Sequence, residues 1–322
     1  MNSVISKRLH HKLSKPWQWI ACRAGTPIVP LSFAFLFFAL SGLLASVNPA
    51  FSYDDKSFLW KVQSSRSTVY LLGSIHFLKE DAYPLNQTIE EAYEASDKLA
   101  VEANINELGN LNLNALADNA FYKGDDQIQK HVAPETYRLI TKESKTLGMP
   151  IELIRMQKPW FLALSFQAME LVRLGYSPQH GVDYHFLTKA KGKKKILELE
   201  SLDEQLALLS GFSDREQEEF LLYTLNTLSS MESQVDSLVR AWKSGNVKGM
   251  ESIISDTAAQ DGSIAALFRK LFDERNIKMA STIQGYLTSG GTYFVIVGAG
   301  HLIGERGVVE LLKAKGYEVE QL

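Results

Sequence analysis

The sequence predicts an α/β fold: one mixed central β-sheet whose strand ends form a single functional edge, with large helical insertions. Three observations carry this. Short apolar, β-rich runs stand near both ends of the chain, as in "TVYLLGSIHF" (68–77) and "TYFVIVGAGHL" (292–302). Four such runs pass directly into a glycine or an acid. Between successive inner runs lie about 85 and about 90 residues with apolar spacing of three and four, a helical period. Strands at both termini with helices between them suit one sheet with insertions better than two tandem domains.

The elements follow in order. Residues 1–50 carry Lys7, Arg8, Lys12, Lys15 and Arg23, no acid, and then a 20-residue apolar run from Ile28 to Val47. A basic leader before an apolar run and small residues reads as a secretory signal, cut between Ala45 and Phe51. An uncleaved signal-anchor is the alternative, because that run is long enough to span a bilayer. The chain would then be periplasmic, or held at the membrane only through this segment. Residues 51–322 read as one domain. Within it, Leu59–Gln63 and Thr68–Leu72 form a hairpin, and a helix runs from about Asn86 to Asp97. "KLAVEANI" is a strand ending near Glu102, and 106–192 is a helical insertion broken at its glycines and prolines. Lys195–Leu199 is a strand after a solvated lysine turn at 191–195. A second insertion, 203–288, reads as long helices over Asp203–Leu209, Asp214–Lys243, Val247–Ser255 and Ser263–Thr288, with breaks. Tyr293–Val297, a helix Val308–Ala314 and a strand Glu318–Gln321 close the chain.

Composition narrows the chemistry. The single cysteine, Cys22, precedes the apolar run, so the exported part has no thiol for a disulfide, a nucleophile or a ligand. Removing the five leader cations leaves 29 Lys and Arg against 37 Asp and Glu, a formal charge near −8. An acidic body with scattered cations does not fit a phosphate-backbone binder, so no nucleic-acid partner is expected.

In open α/β sheets, ligands sit beyond the carboxyl ends of the strands. The first ionisable residues past the four apolar strands are His76, Glu102, Glu200 and His301. If those strands are parallel neighbours, two imidazoles and two carboxylates meet at one edge, with Gly73, Gly298 and Gly300 letting the backbone approach a ligand. With 21 glycines and 7 histidines, G-x-x-H should arise about 0.5 times by chance at ordinary composition. It occurs twice, each time after a strand-like run, which favours a site. Imidazole with carboxylate suits a divalent transition metal and metal-assisted hydrolysis. There is no H-E-x-x-H, no G-x-S-x-G elbow, and the 298–307 glycines are out of step with G-x-G-x-x-G.

Other candidates have plainer explanations. Arg275 pairs with Asp273, Glu274 or a sheet-edge carboxylate, or binds a substrate carboxylate. Asp183 is an early helix acid suited to the macrodipole. His185 reads as a core or surface residue, and nothing is assigned to His131 or His180. Trp160, Phe161, Phe166 and Met169 form a core-packing stripe.

"LWKVQSSRSTVYLLGSIHFL", "VEANI", "MQKPWFLAL", "GVDYHFLTKAKGKKKILELESLDEQ", "RNIKMA" and "YFVIVGAGHLIGERGVVELLKAKGYEVEQL" together resemble the TraB/PrgY/GumN family, in its exported bacterial branch. The resemblance runs from about Leu59 to Leu322. It implies kinship with Tiki metalloproteases, which use Mn or Co, and more distantly with erythromycin esterases and haem-binding ChaN-like proteins. Its paired G-x-x-H motifs fall on Gly73–His76 and Gly298–His301, its acids on Glu102 and Glu200, and its "RN" pair on Arg275 and Asn276. The expected activity is a metal-dependent hydrolase acting on a peptide or small molecule, with Mn, Co or Zn. His76 and His301 would bind the ion, one of Glu102 and Glu200 completing its shell and the other serving as base, with Arg275 orienting a carboxylate. The alternative is a haem-, metal- or peptide-binding protein without turnover.

Overall fold

A computed structural model describes residues 56–110, 113–258 and 262–322; the leader and its apolar run lie outside them. Among the described residues the six strands are β1 (Leu59–Gln63), β2 (Ser67–Ser74), β3 (Lys98–Val101), β4 (Lys195–Glu198), β5 (Gly291–Gly298) and β6 (Val319–Gln321). They form one sheet in the order β4-β3-β5-β2-β1-β6. β4, β3, β5 and β2 are parallel neighbours, while β1 runs antiparallel to β2 and β6. The sheet is therefore mixed, as expected, and the four strands that end in ionisable residues point the same way.

The hairpin forms at the expected place because Ser64 builds its turn: the Ser64 hydroxyl oxygen accepts from the amides of Arg66 (3.1 Å) and Ser67 (2.9 Å). β5 is last to enter the inner sheet and is flanked on both sides, so from Tyr293 to Gly298 every residue is buried. Its unbroken apolar run follows from that position, since a parallel strand covered on both faces needs no polar alternation. Tyr93, Phe186 and Phe294 pack ring to ring at 4.9–5.5 Å, joining the two crossover helices Gln87–Glu94 and Val182–Ala190 to β5.

The insertions are helical, with local signals that explain their boundaries. Ser201 with Glu204 and Ser213 with Glu216 make reciprocal capping boxes that start the helices Leu202–Ser210 and Asp214–Thr227. Pro159 opens the helix Pro159–Arg173, where Trp160 and Phe166 are core residues as expected while Phe161 and Met169 are half-buried. The long helical stretches are broken, as expected. The 214–243 segment is two helices joined by a 3₁₀ turn, Leu228–Ser230. The 263–288 segment contains a π-turn, Arg269–Asp273, ahead of the helix Glu274–Ser289. Such widened turns concentrate at functional sites.

The lysine turn at 191–195 is not wholly solvated. Lys194 is half-buried and donates to the carbonyls of Tyr93 (3.0 Å), Glu94 (3.4 Å) and Ser96, which close the helix Gln87–Glu94. A lysine there satisfies carbonyls that the helix end leaves open and complements its negative pole. No helix among the described residues is long and apolar enough to cross a membrane.

Candidate active site at the carboxyl edge of the sheet

The four strand ends bring their ionisable residues together. Glu102 follows β3, and Glu200 follows β4, continuing the pairing through Glu200 N–H to the Glu102 carbonyl (2.8 Å). His301 lies on a short helix, Ala299–Leu302, that starts directly from β5, and His76 lies two residues beyond β2. That short helix was not expected, because four residues carry no periodic signal.

Arg275 is the centre of this edge. Its Nε donates to both Glu200 oxygens (3.0 and 2.9 Å), and its Nη2 to Glu200 Oε2 (2.7 Å) and Glu102 Oε2 (2.9 Å). Its Nη1 donates to the Leu271 carbonyl inside the π-turn (3.0 Å). Arg275, Glu102 and Glu200 are all buried. Among the expected roles, holding the sheet-edge carboxylates is the one this geometry supports; Asp273 pairs instead with Arg306 (3.1 Å). Gln205 Nε2 also bridges the two carboxylates, donating to Glu102 Oε2 (3.4 Å) and Glu200 Oε2 (3.3 Å). The sequence reading did not single out Gln205. Its only local signal is a polar residue on the apolar side of "LDEQLALL".

The two carboxylates differ. Glu200 has both oxygens on the guanidinium. Glu102 turns Oε1 the other way, where it accepts from the Gly298 amide (2.5 Å) and lies 3.8 Å from His301 Nε2. Gly298 thus serves the site through its N–H. Gly73 serves through close packing: a Cβ there would stand 2.5 Å from Phe58 Cδ1 and 3.1 Å from the Ala299 Cα. Its carbonyl accepts from Trp242 Nε1 (2.6 Å), tying the first turn to the second insertion.

Each imidazole is anchored through Nδ1. Asn276 Nδ2 donates to the Arg306 carbonyl (2.9 Å), which turns Asn276 Oδ1 toward His301 Nδ1 at 2.5 Å. An amide oxygen only accepts, so His301 Nδ1 carries the proton and Nε2 carries the lone pair. His76 Nδ1 donates to Asp183 Oδ2 (2.5 Å). Burial, the positive charge of Arg275 and that of His76 push His301 well below the ordinary histidine range. Burial also pushes His76 down, but Asp183 and then Glu102 outweigh it and raise His76 overall. His185, in contrast, meets Glu90 (3.1 Å) and the Tyr83 ring (5.1 Å), and His131 meets Asp126 (2.8 Å), so both are structural.

The donor chemistry of this set suits a divalent cation. His301 Nε2 and Glu102 Oε1 present a lone pair and an anionic oxygen side by side, and outer partners orient both, as metal ligands require. Two of the buried carboxylates, Glu102 and Glu200, meet the Arg275 guanidinium, and the third, Asp183, meets His76. Among the described residues, no three or more His, Cys, Asp or Glu side chains already stand close enough to surround an ion.

The TraB/PrgY/gumN family model matches residues 58–321, the full span of the sheet. The chain is similar to the uncharacterised protein YbaP of Escherichia coli (strain K12), 25% identical over 247 residues that cover 76% of this chain and 87% of YbaP. An uncharacterised protein of Treponema pallidum (strain Nichols) is 22% identical over 278 residues, 82% of each chain. A metalloprotease TIKI homolog of Amphimedon queenslandica is 43% identical over 58 residues, 17% of this chain and 11% of that protein. No solved structure matches.

Proposed function

The chain belongs to the TraB/PrgY/gumN family, and on that premise we propose that it is a metal-dependent hydrolase of peptides, acting outside the cytoplasm. The observation that carries this reading is the buried pairing of His301 Nε2 with Glu102 Oε1, 3.8 Å apart, beside a second imidazole that is likewise anchored through Nδ1. The similarity to a protein named as a metalloprotease supports the reaction class. The basic leader and the apolar run of residues 28–47 support export.

In this reading His301 Nε2, Glu102 Oε1 and His76 hold the ion, with Mn, Co or Zn as its identity. Such an ion, when bound, polarises a scissile carbonyl and acidifies water. The chain's own residues supply the arrangement. Asn276 keeps the His301 lone pair on the correct nitrogen. Gly298 N–H and Arg275 fix the two Glu102 oxygens in opposite directions. Glu200 and Gln205 hold Arg275 and Glu102 in place, and Glu200 acts as a base only after the guanidinium releases one of its oxygens. Arg275, through its Nε and Nη2 donors, orients carboxylates of the protein.

The haem-binding alternative requires a macrocycle beside an imidazole. His301 is 0% exposed and the Phe272 ring lies 5.0 Å away, which suits a small ion at that imidazole.

The test is elemental analysis of the exported form purified without chelator, beside His76→Ala, His301→Ala and the double variant, with a peptide library assayed before and after chelation. The expected result is bound metal in the wild type, loss of it in each folded variant, and cleavage that chelator removes and Mn, Co or Zn restores. Full metal occupancy in both single variants, or cleavage surviving the double substitution, rejects the reading.

A further inference from the structure

The acid in the first turn of Val182–Ala190 does not behave as a helix-terminal charge. Asp183 is buried and both its oxygens face the sheet: Oδ2 accepts from His76 Nδ1, and Oδ1 accepts from the Ser74 hydroxyl at the end of β2 (3.0 Å). The segment leading to it is sewn to the first strand-end turn along its length. Leu78 and Ser177 exchange backbone hydrogen bonds (3.3 and 2.9 Å), Val182 N–H donates to the Ile75 carbonyl (3.1 Å), and Tyr83 Oη donates to the His180 carbonyl (2.9 Å). At Gly181 a Cβ would lie 2.2 Å from the His76 carbonyl oxygen, so glycine is what lets the two segments touch. That much fixation is more than a macrodipole contact needs, and it converges on one carboxylate.

We propose that Asp183 is the positioning residue of His76: with Ser74 holding its other oxygen, it keeps the proton on Nδ1 and the lone pair on Nε2, the ring nitrogen turned away from the carboxylate. The role parallels that of Asn276 toward His301, with a carboxylate in place of an amide. A ligating imidazole held this way has one tautomer and one orientation before any ion arrives. The proposal deepens the hydrolase reading and rests on it only for its consequence in catalysis.

The test reads the ring itself. Two-bond ¹H–¹⁵N spectra of chelated, metal-free protein report the His76 tautomer, and calorimetric titration with Co(II) alone reports affinity. Wild type is expected to show Nδ1–H at His76. Asp183→Leu is expected to release the ring to the Nε2–H form that free imidazoles favour and to weaken Co(II) binding on the order of 10- to 100-fold. Asp183→Asn and Ser74→Ala are expected to shift both readouts in the same direction by less. Asp214→Asn, which removes an exposed first-turn acid from another helix, is expected to change neither. An unchanged tautomer with unchanged Co(II) affinity in Asp183→Leu overturns the proposal. Should that variant not fold, the same result in both Asp183→Asn and Ser74→Ala overturns it. Since the tautomer is read without metal or substrate, a shifted ring in a protein that cleaves nothing keeps the positioning role and rejects only the hydrolase reading.

Discussion

The two G-x-x-H turns share one spelling and differ in almost everything that sets their chemistry. His301 follows β5 at the centre of the sheet, is wholly enclosed, and hydrogen-bonds a neutral amide. His76 follows β2 one strand away, keeps 15% of its side chain exposed, and hydrogen-bonds a carboxylate. Burial is the largest influence on both and lowers both, yet only His301 ends below its ordinary range. The reversal at His76 comes from Asp183. An identical motif at two neighbouring strand ends therefore yields one imidazole held neutral and one that can share in charge, and the partner chosen by each helical insertion decides which.

The comparison can be broken most violently at the guanidinium that both turns feel. Arg275→Met leaves Glu102 and Glu200 buried without a cation, and a loss of about 3–5 kcal/mol of stability is expected by urea denaturation. Adding Glu102→Gln and Glu200→Gln should return much of it; a single Arg275→Met with unchanged midpoint would mean the carboxylates are not held as described. Next is unequal truncation. His301→Ala empties an enclosed site and strands the Asn276 amide, at a cost of about 2–4 kcal/mol. His76→Ala, at the more open turn, leaves the smaller void but strands the Asp183 carboxylate with only the Ser74 hydroxyl, at a cost of about 1–3 kcal/mol. Adding Asp183→Asn to His76→Ala should return part of that loss; no recovery would mean the carboxylate is not held as described.

Gly181→Ala acts on one turn alone. The new Cβ must displace the His76 carbonyl, and overpacking of this kind costs about 1–3 kcal/mol. Metal affinity should fall with it while the His301 ring signals stay in place; movement of both rings would show the turns to be one rigid unit. The smallest effect sets the baseline. Glu216, hydrogen-bonded by Lys270 and by the Ser213 amide, has its carboxyl lowered to about 2. A lowered carboxyl stabilises the fold above the unfolded value near 4.5 and loses that contribution as pH falls toward 2. Lys270→Met should thus cost about 0.5 kcal/mol at pH 7 and almost nothing at pH 2, because the pair is partly solvated.

Much of the fold was legible. β1 matches its expected bounds, and β2 to β6 differ from theirs by one or two residues at either end. The two insertions lie where helical spacing placed them. The π-turn and the short helix bearing His301 were not legible, since neither is long enough to show a period. Among site residues, His76, His301, Glu102 and Glu200 declared themselves by standing first after apolar strands. Asn276 entered only through the family resemblance. Asp183 was read only as a helix-start acid and Gln205 went unremarked, because each has a sufficient local explanation, the second as an ordinary helix polar residue.

Sequence by itself determined the strands, the helical stretches and the four ionisable residues at strand ends, because backbone period and side-chain polarity are properties of neighbours along the chain. Tertiary structure alone decided how those four are used. It brought Asp183 across 107 positions to His76 and Arg275 across 173 to Glu102. Charge and hydrogen bonding act over a few ångströms of space, and no pattern read along the chain records which distant side chain will occupy them.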